Sequence, residues 1–481
     1  MLETVVPFRA WRYAHAAGEL TQLVAPPYDV IGSELQSRLY ARSRHNVVRV
    51  DLGMTTPSDN ECDDRYTRAA AQLARWKDSG ILVRDADPSI TFVEESFAGP
   101  DGQAGVRHGF LALIRLCDFD EGVVFPHEQT LAGPKEDRYQ LMTATGMSLS
   151  PVFLLYDLPG DEITTAWKNG PGAEAPAVTV AGEEGTVTKL WPTSDPDLLE
   201  MVGQNLAAAR FLIADGHHRY ETALRYQKHR RGPVDESSHA RVKTGDSVSE
   251  PRPSAYARPL AYDYALAYFG NMADPGLAIY ATHRLIAGID PEVVAALPRL
   301  LAPAFTVERL TTAPTALSGP AAAGGGGDPR AAQATAAQAA IAAFLGANPR
   351  GAFGLWGPGL DGAYGLLLHD QGAAQAAAPG HSPAYQELDV TILQSLVLEK
   401  ILGITAGDMA AETHVAFFKD SEDAFVRLEA GEFQAGFFMN PTGLDQIRRV
   451  AFGGERMPQK ATFFYPKLPT GLVFHDLSGG I

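Results

Sequence analysis

The residues best equipped for chemistry sit in one short run, Asp215-Gly216-His217-His218-Arg219. Apolar Phe211-Leu212-Ile213-Ala214 leads into it, and Tyr220-Glu221-Thr222-Ala223-Leu224 follows with helical character. The pattern predicts a strand, a tight turn at Asp215-Gly216, and a helix that starts at once. Asp215 is a candidate N-cap, and Gly216 lets the backbone turn sharply or approach a ligand. The amides of His217, His218 and Arg219 then lie at a helix N-terminus, whose orphan N–H groups and partial positive charge suit a phosphate. Two imidazoles and a guanidinium add donors. A metal shared by His217 and His218 fits less well, because neighbouring helical residues point about 100° apart. The plain alternative is a capped helix whose histidines pack or face water.

A second segment is Phe125-Pro126-His127-Glu128-Gln129-Thr130, followed by Gly133-Pro134-Lys135-Glu136-Asp137-Arg138. Its prolines predict a loop that enters a helix near Asp137. His127 and Glu128 could supply an acid or base there, and Lys135 and Arg138 could hold a phosphate. A solvated loop with intrahelical ion pairs is the plain alternative. Leu131 and Ala132 follow where the zinc-protease motif would need a second His, which excludes that motif. Weaker signals are residues 25–31 with Asp29, Thr282-His283-Arg284, and residues 457–467 with Lys460 and Lys467. These two lysines are the members best able to meet an anionic ligand. Gly453-Gly454 lacks the Lys-Ser/Thr of a P-loop, and no dinucleotide, protein-kinase or Gly-x-Ser-x-Gly pattern occurs.

These residues need elements to position them. Strand-like runs cover residues 47–52, 89–96, 107–116, 151–156, 211–214, 261–269 and 434–439. Helix-like runs cover 33–43, 65–79, 137–145, 219–229, 390–402 and 421–429. Such alternation predicts a mixed α/β or α+β architecture. Residues 98–103 read as a hairpin turn. Composition is poor in core residues at 231–258, 313–347 and 371–385. Of these, the Gly324–Gly327 half of 313–347 reads as a loop and 330–345 as a helix.

At 481 residues the chain has room for two to four domains, and a net charge of −17 argues against a duplex-binding surface or a polybasic membrane anchor. No apolar run is long enough to span a membrane, and the start lacks the pattern of a signal peptide. Cys62 and Cys117 are too few for a disulfide framework, so two reduced, partly buried thiols in a cytoplasmic protein are expected.

Pro7-Phe8-Arg9-Ala10, residues 25–31, Asn46-Val47-Val48-Arg49, His127-Glu128-Gln129-Thr130 with Gly133-Pro134-Lys135, residues 214–223 and residues 457–467 occur in order. Together they resemble the domain of unknown function 1015 family (DUF1015), a resemblance that spans nearly the whole chain and conveys no activity. Asp215-Gly216-His217-His218-Arg219 is also similar to the signature of free-serine kinases built on the ParB/sulfiredoxin-like fold. That second resemblance implies a ParB/sulfiredoxin-like core elaborated with additional α/β subdomains. It implies an enzyme that phosphorylates free L-serine or a similar hydroxylated metabolite, with ATP or ADP as donor and Mg2+ as cofactor. By the same resemblance Glu128, Asp215 and His217 are the catalytic candidates, with Glu128 taking the hydroxyl proton, while Gly216, His217, His218 and Arg219 contact phosphate. Asp215 caps the cradle or helps position Mg2+, and Lys135 and Arg138 are secondary phosphate contacts. His127, Thr130, Asp29, His283, Lys460 and Lys467 are the weaker candidates.

The 87 residues from Glu128 to Asp215 exceed the spacing of the small kinases, so residues 157–194 are expected to loop out of the core. The expected organisation is an N-terminal α/β subdomain over residues 1–156, a core over 157–290 and a C-terminal α/β subdomain over 291–481. The partners expected are a nucleotide and a small molecule, with a homodimer left open and neither nucleic acid nor membrane. The rival readings are a phosphatase or phosphotransferase acting on phosphoserine-like metabolites, and a nucleotide-binding switch without catalysis.

Overall fold

The computed structural model describes residues 3–130, 132–232, 259–311 and 329–480. Strands β1 (Val5–Val6), β2 (Ile90–Ala98), β3 (Ala104–Arg115), β4 (Val124–Pro126), β5 (Val152–Tyr156), β6 (Val178–Ala181), β7 (Val187–Thr193), β8 (Phe211–Asp215) and β9 (Tyr264–Asn271) form a nine-stranded sheet. Its order is β4-β8-β5-β9-β3-β2-β7-β6, with β1 beside β3. The pairs β4–β8 and β5–β9 are parallel and the rest antiparallel.

A second sheet joins β10 (His283–Ile286), β11 (Phe305–Arg309), β12 (Ala352–Trp356), β13 (Tyr364–Leu368), β14 (Val415–Phe418) and β15 (Ala435–Met439) in the order β11-β13-β12-β15-β10-β14, all antiparallel. The mixed α/β class expected from the sequence is the class the chain adopts.

Both faces of the first sheet are covered, which is why its central strands read as unbroken apolar runs rather than alternating ones. Successive side chains point to opposite faces. Leu212 and Ala214 join one core with Leu111, Leu113, Phe153 and Leu155. Phe211 and Ile213 join another with Phe110, Leu154 and the apolar face of a helix carrying Tyr220, Ala223 and Leu224. The helices used below are α1 (Ser33–Arg42), α2 (Arg65–Asp78), α3 (Ala132–Thr145), α4 (His217–Arg231), α5 (Pro329–Ala347) and α6 (Ser421–Glu429). Helices α5 and α6 cover one face of the second sheet through Ile341, Leu345, Phe425 and Leu428. Gly354 permits the close approach of α5, since a Cβ there would lie 2.3 Å from Ile341 Cγ2.

Several expectations needed correction. Residues 47–52 are not a strand, because Val48–Asp51 form one helical turn. The Asn46 side chain accepts the Val48 N–H at 3.0 Å and donates to the carbonyls of Gln22 and Val24, each at 2.9 Å. This local bonding diverts the backbone, and the valines reflect burial rather than pleating. Residues 157–194 do not loop out: β7 pairs with β2 from Val187 against Ser96 to Thr193 against Ile90, and β6 extends that edge.

Within 371–385, Gln371–Ala377 and Pro383–Gln386 are helical, capped by Asp370 and Ser382. Helix α3 begins at Ala132, five residues before the expected Asp137, with Pro134 in its first turn where no intrahelical N–H bond is lost. The helix expected at 390–402 is present, with Ile392–Ile401 in a π-helical winding. Helix α5 matches the one expected at 330–345, whereas the Gly324–Gly327 loop and residues 233–258 lie outside the described residues. Cys62 is exposed and Cys117 buried, both free. Among the described residues, no helix is long and apolar enough to cross a membrane.

Candidate functional site

Strands β4 and β8 run parallel at one edge of the first sheet, with Phe211 opposite Val124 and Ile213 opposite Pro126. Their carboxyl ends therefore emerge side by side. This register carries His127-Glu128 next to Asp215-Gly216 across 87 residues of sequence. Ligands of α/β sheets bind outside the carboxyl ends of strands, and a cleft of about 590 Å³ opens there. Glu128, Thr130, the whole Asp215–Arg219 turn and Asp29 line it. Lys460 and Lys467 line it from the terminal segment.

Gly216 is the residue before α4 and has φ 87°, ψ 29°, in the left-handed region that favours glycine. The turn is thus made by Gly216, and Asp215 does not cap the helix as expected. Its carboxylate instead accepts from Lys467 Nζ and Arg219 Nη2. Burial alone would push the Asp215 carboxyl up, but Lys467 and Arg219 hold it well below the ordinary carboxylate range. Arg219 also donates to the Pro151 carbonyl, so its guanidinium is largely occupied within the protein. The first amides of α4 have no intrahelical acceptor by the geometry of a helix start.

Glu128 sits at the junction of two walls. It bridges in parallel to Met457, and the Met457 N–H donates to the His127 carbonyl at 2.7 Å. The Lys460 N–H donates to Glu128 Oε1. Lys460 is held at φ 56°, a left-handed conformation that costs a non-glycine residue and that clusters at functional sites. Loss of hydration pushes the Glu128 carboxyl up to about 7, against the Lys460 amide and the Lys460 and Lys467 charges. A carboxyl poised there can exchange a proton near neutral pH.

The histidines divide by role. His127 is fully buried, with Nδ1 2.6 Å from the Ile213 carbonyl and Nε2 2.8 Å from Thr462 Oγ1. Burial lowers it to about 4, so it is a neutral brace between β8 and the terminal segment rather than a group in the cleft. The His217 ring lies 4.7 Å from that of His127, and its Nε2 accepts the His127 N–H at 3.3 Å. Burial holds His217 well below its usual range, so it is neutral too. His218 is half-buried in the cleft wall and is lowered chiefly by burial, with Glu221 opposing.

Two buried arginines pin the terminal segment from behind. Arg107, on β3, bonds Glu95 at 2.5 and 3.0 Å and donates to the carbonyls of Tyr465 at 3.3 Å and Pro466 at 2.9 Å. Arg284, on β10, donates to the Lys460 carbonyl at 3.1 Å and to the Thr282 carbonyl. Burial pushes Arg284 down to about 10, with Glu128 as the opposing charge.

A family model described as a protein of unknown function (DUF1015) matches residues 5–391. The chain belongs to the DUF1015 family. Among curated proteins, none matches it. Among solved structures it is similar to a conserved hypothetical protein from Pyrococcus furiosus, at 15% identity and TM-score 0.33, covering 76% of this chain and 95% of that one. It is also similar to a free serine kinase in complex with AMP, at 14% identity and TM-score 0.35, covering 76% and 91%. A third similar structure is SbnI with C-terminal truncation from Staphylococcus aureus, at 10% identity and TM-score 0.31, covering 77% and 87%. TM-scores this low carry no argument about activity.

In this DUF1015 member, residues 457–467 fall beyond the matched range, yet they form one wall of the cleft. Besides His127, three candidates lie outside the cleft wall. Lys135 is bound to Glu221 at 2.9 Å and to Thr130 Oγ1 at 3.1 Å. Arg138 is buried on Asp51 at 3.0 Å and Asp137 at 2.6 Å, with its guanidinium 4.1 Å over the Tyr28 ring. Neither cation lines the cleft: Lys135 turns to Glu221, and Arg138 turns to Asp51 and to its sequence neighbour Asp137.

His283 is buried 5.2 Å from the Phe438 ring, and burial lowers it to about 4. The two-residue period of β10 explains this: His283 and Arg284 point to opposite faces, and Arg284 is the one turned toward Glu128. Arg284 and Tyr28 stood only inside weaker segments with no role assigned, and Glu221 was likewise given none. Glu221 gathers Thr130, Lys135 and Arg456 at 2.8, 2.9 and 3.2 Å. Its spacing from His217 and His218, four and three residues on one helix, was the available signal.

Proposed function

We propose that the cleft transfers a phosphoryl group from a nucleotide, ATP or ADP, to the hydroxyl of free L-serine or a similar small hydroxylated metabolite. The observation that carries this reading is the meeting of Glu128 with the start of α4 and Lys467 in one cleft. Phosphoryl transfer asks the protein for positioning and charge stabilisation more than for covalent chemistry. Glu128, pushed up to about 7, would orient the acceptor hydroxyl and take its proton. The first amides of α4, with Lys460 and Lys467, would receive phosphate oxygens. Asp215 and Arg219 would set the place of Lys467 rather than touch phosphate themselves.

The donor set does not fit a resident Mg2+ ion. Among the described residues, no group of three or more His, Cys, Asp or Glu could hold a metal. Both oxygens of Asp215 are already taken by Lys467 and Arg219, so Asp215 is withdrawn as a metal ligand.

Incubating the pure protein with serine, Mg2+ and ATP or ADP, then detecting phosphoserine by mass spectrometry, tests the reading. Phosphoserine, or the phosphate ester of another member of a panel of hydroxylated amino and hydroxy acids, is the expected result. No product across that panel overturns it. Phosphate release from phosphoserine without nucleotide would make the chain a phosphatase instead, and tight nucleotide binding without turnover would make it a switch.

A further inference from the structure

A second cavity, of about 270 Å³, adjoins the cleft. The two share Val30, Lys419, Phe463 and Lys467, so these residues form the passage between them. The size lies near the lower end of ligand pockets, roughly 300–1,000 Å³. Apolar surface comes from Val24, Pro26, Leu35 and Pro469, and polar surface from Glu183 and Glu184. The chemistry of this cavity differs from that of the cleft. Its Arg42 is paired with Glu183 at 2.7 Å, and Lys419 with Glu184 at 3.6 Å. The Tyr465 hydroxyl donates to Glu184 at 3.3 Å. Arg38 also lines it and is solvent-exposed.

We propose that this side cavity receives the base and sugar of a nucleotide whose phosphates lie at the Asp215–Arg219 turn. The inference rests on the phosphoryl-transfer reading of the cleft and deepens it. Glu128 lines only the cleft, so an acceptor hydroxyl that it deprotonates must occupy the cleft. The donor phosphates then lie beside Lys467, and the rest of the donor needs space that the acceptor does not fill. The side cavity opens from Lys467, on a different set of walls from Glu128. Its two carboxylates are engaged by Arg42, Lys419 and Tyr465, and their remaining acceptor capacity suits sugar hydroxyls. Phe463, Tyr465 and three prolines, Pro26, Pro466 and Pro469, supply flat apolar surface for a heterocycle.

Calorimetric titration of the full chain with ADP and, separately, with inorganic pyrophosphate tests this. Ala181 lines only the side cavity and is exposed, so Ala181→Trp fills the cavity with little demand on the core. The expected result is that the wild type binds both probes. Ala181→Trp should retain pyrophosphate binding and lose about tenfold or more in ADP affinity, a difference of roughly 1.4 kcal/mol. Unchanged ADP affinity in a variant that still binds pyrophosphate overturns the side-cavity assignment and leaves the cleft reading intact. Failure of the wild type to bind either probe overturns the cleft reading itself. If Ala181→Trp fails to hold pyrophosphate, Leu35→Trp on another wall of the cavity decides by the same comparison.

Discussion

The cleft has two walls built on different principles. One is made by the ends of β4 and β8 and the start of α4, where apolar strands stop and polar residues take over. Its geometry comes from regular elements: a parallel register and one left-handed glycine put Glu128 and Asp215 at the same edge. The other wall, residues 457–467, is mostly irregular, and only Phe463–Tyr465 pairs with another strand, Ala278–Tyr280. Long-range bonds hold it, from Arg107 on the first sheet and Arg284 on the second to its carbonyls. A wall of the first kind is shaped by regular strand pairing and a single turn. A wall of the second kind is shaped by charges buried far away, and changes there should reach the cleft without touching it.

The two walls should respond differently to substitution, and the largest effect falls on the strand-end wall. Glu128→Gln keeps the acceptor for the Lys460 N–H but removes the base, so turnover should fall about 10²–10⁴-fold while ADP affinity changes little. Steady-state kinetics beside calorimetry checks this, and equal losses in both would make Glu128 structural. With the wild type, the carboxylate form is the active one. Turnover should therefore climb about tenfold per pH unit below 7 and level off above it, a limb absent from Glu128→Gln.

The terminal wall should respond next. Arg107 and Glu95 are each 1% exposed, so Arg107→Met strands a buried carboxylate and should cost about 3–5 kcal/mol in urea unfolding. Adding Glu95→Gln should restore part of that loss. A cost near zero for the single variant would mean that Arg107 does not hold the wall. Lys467→Met removes one of the two cations on Asp215 and should weaken pyrophosphate binding by roughly 1.5–3 kcal/mol, read by calorimetry. The smallest effect is expected at the turn. Gly216→Ala would place a Cβ 2.8 Å from Arg219 Nε at a left-handed φ, for about 1–2 kcal/mol of stability.

This contrast also explains what could be read in the sequence. The apolar run 211–214 followed by Asp-Gly-His-His-Arg announced a strand, a turn and a helix, because each step is set by adjacent residues. The valines at 47–50 misled, since Asn46 reaches back to Gln22 and Val24 through contacts that no local pattern encodes. Arg138 looked like a phosphate contact, and only the tertiary fold sets Asp51 against it beside its sequence neighbour Asp137. Arg284 was hidden beside the more conspicuous His283, although the strand period would have separated the two. Lys460 and Lys467 were visible as cations, but their places in the cleft depend on Arg284 and Arg107, which lie 176 and about 360 residues away.

The central claim is that Glu128 activates an acceptor hydroxyl across the turn that holds the donor phosphates. Phosphorus NMR of the full chain with serine, Mg2+ and ATP or ADP, run side by side on the wild type and Glu128→Gln, tests it most directly. A growing phosphoserine signal is expected with the wild type and none with Glu128→Gln, while both perturb the nucleotide resonances. Equal phosphoserine formation by the two proteins would contradict it.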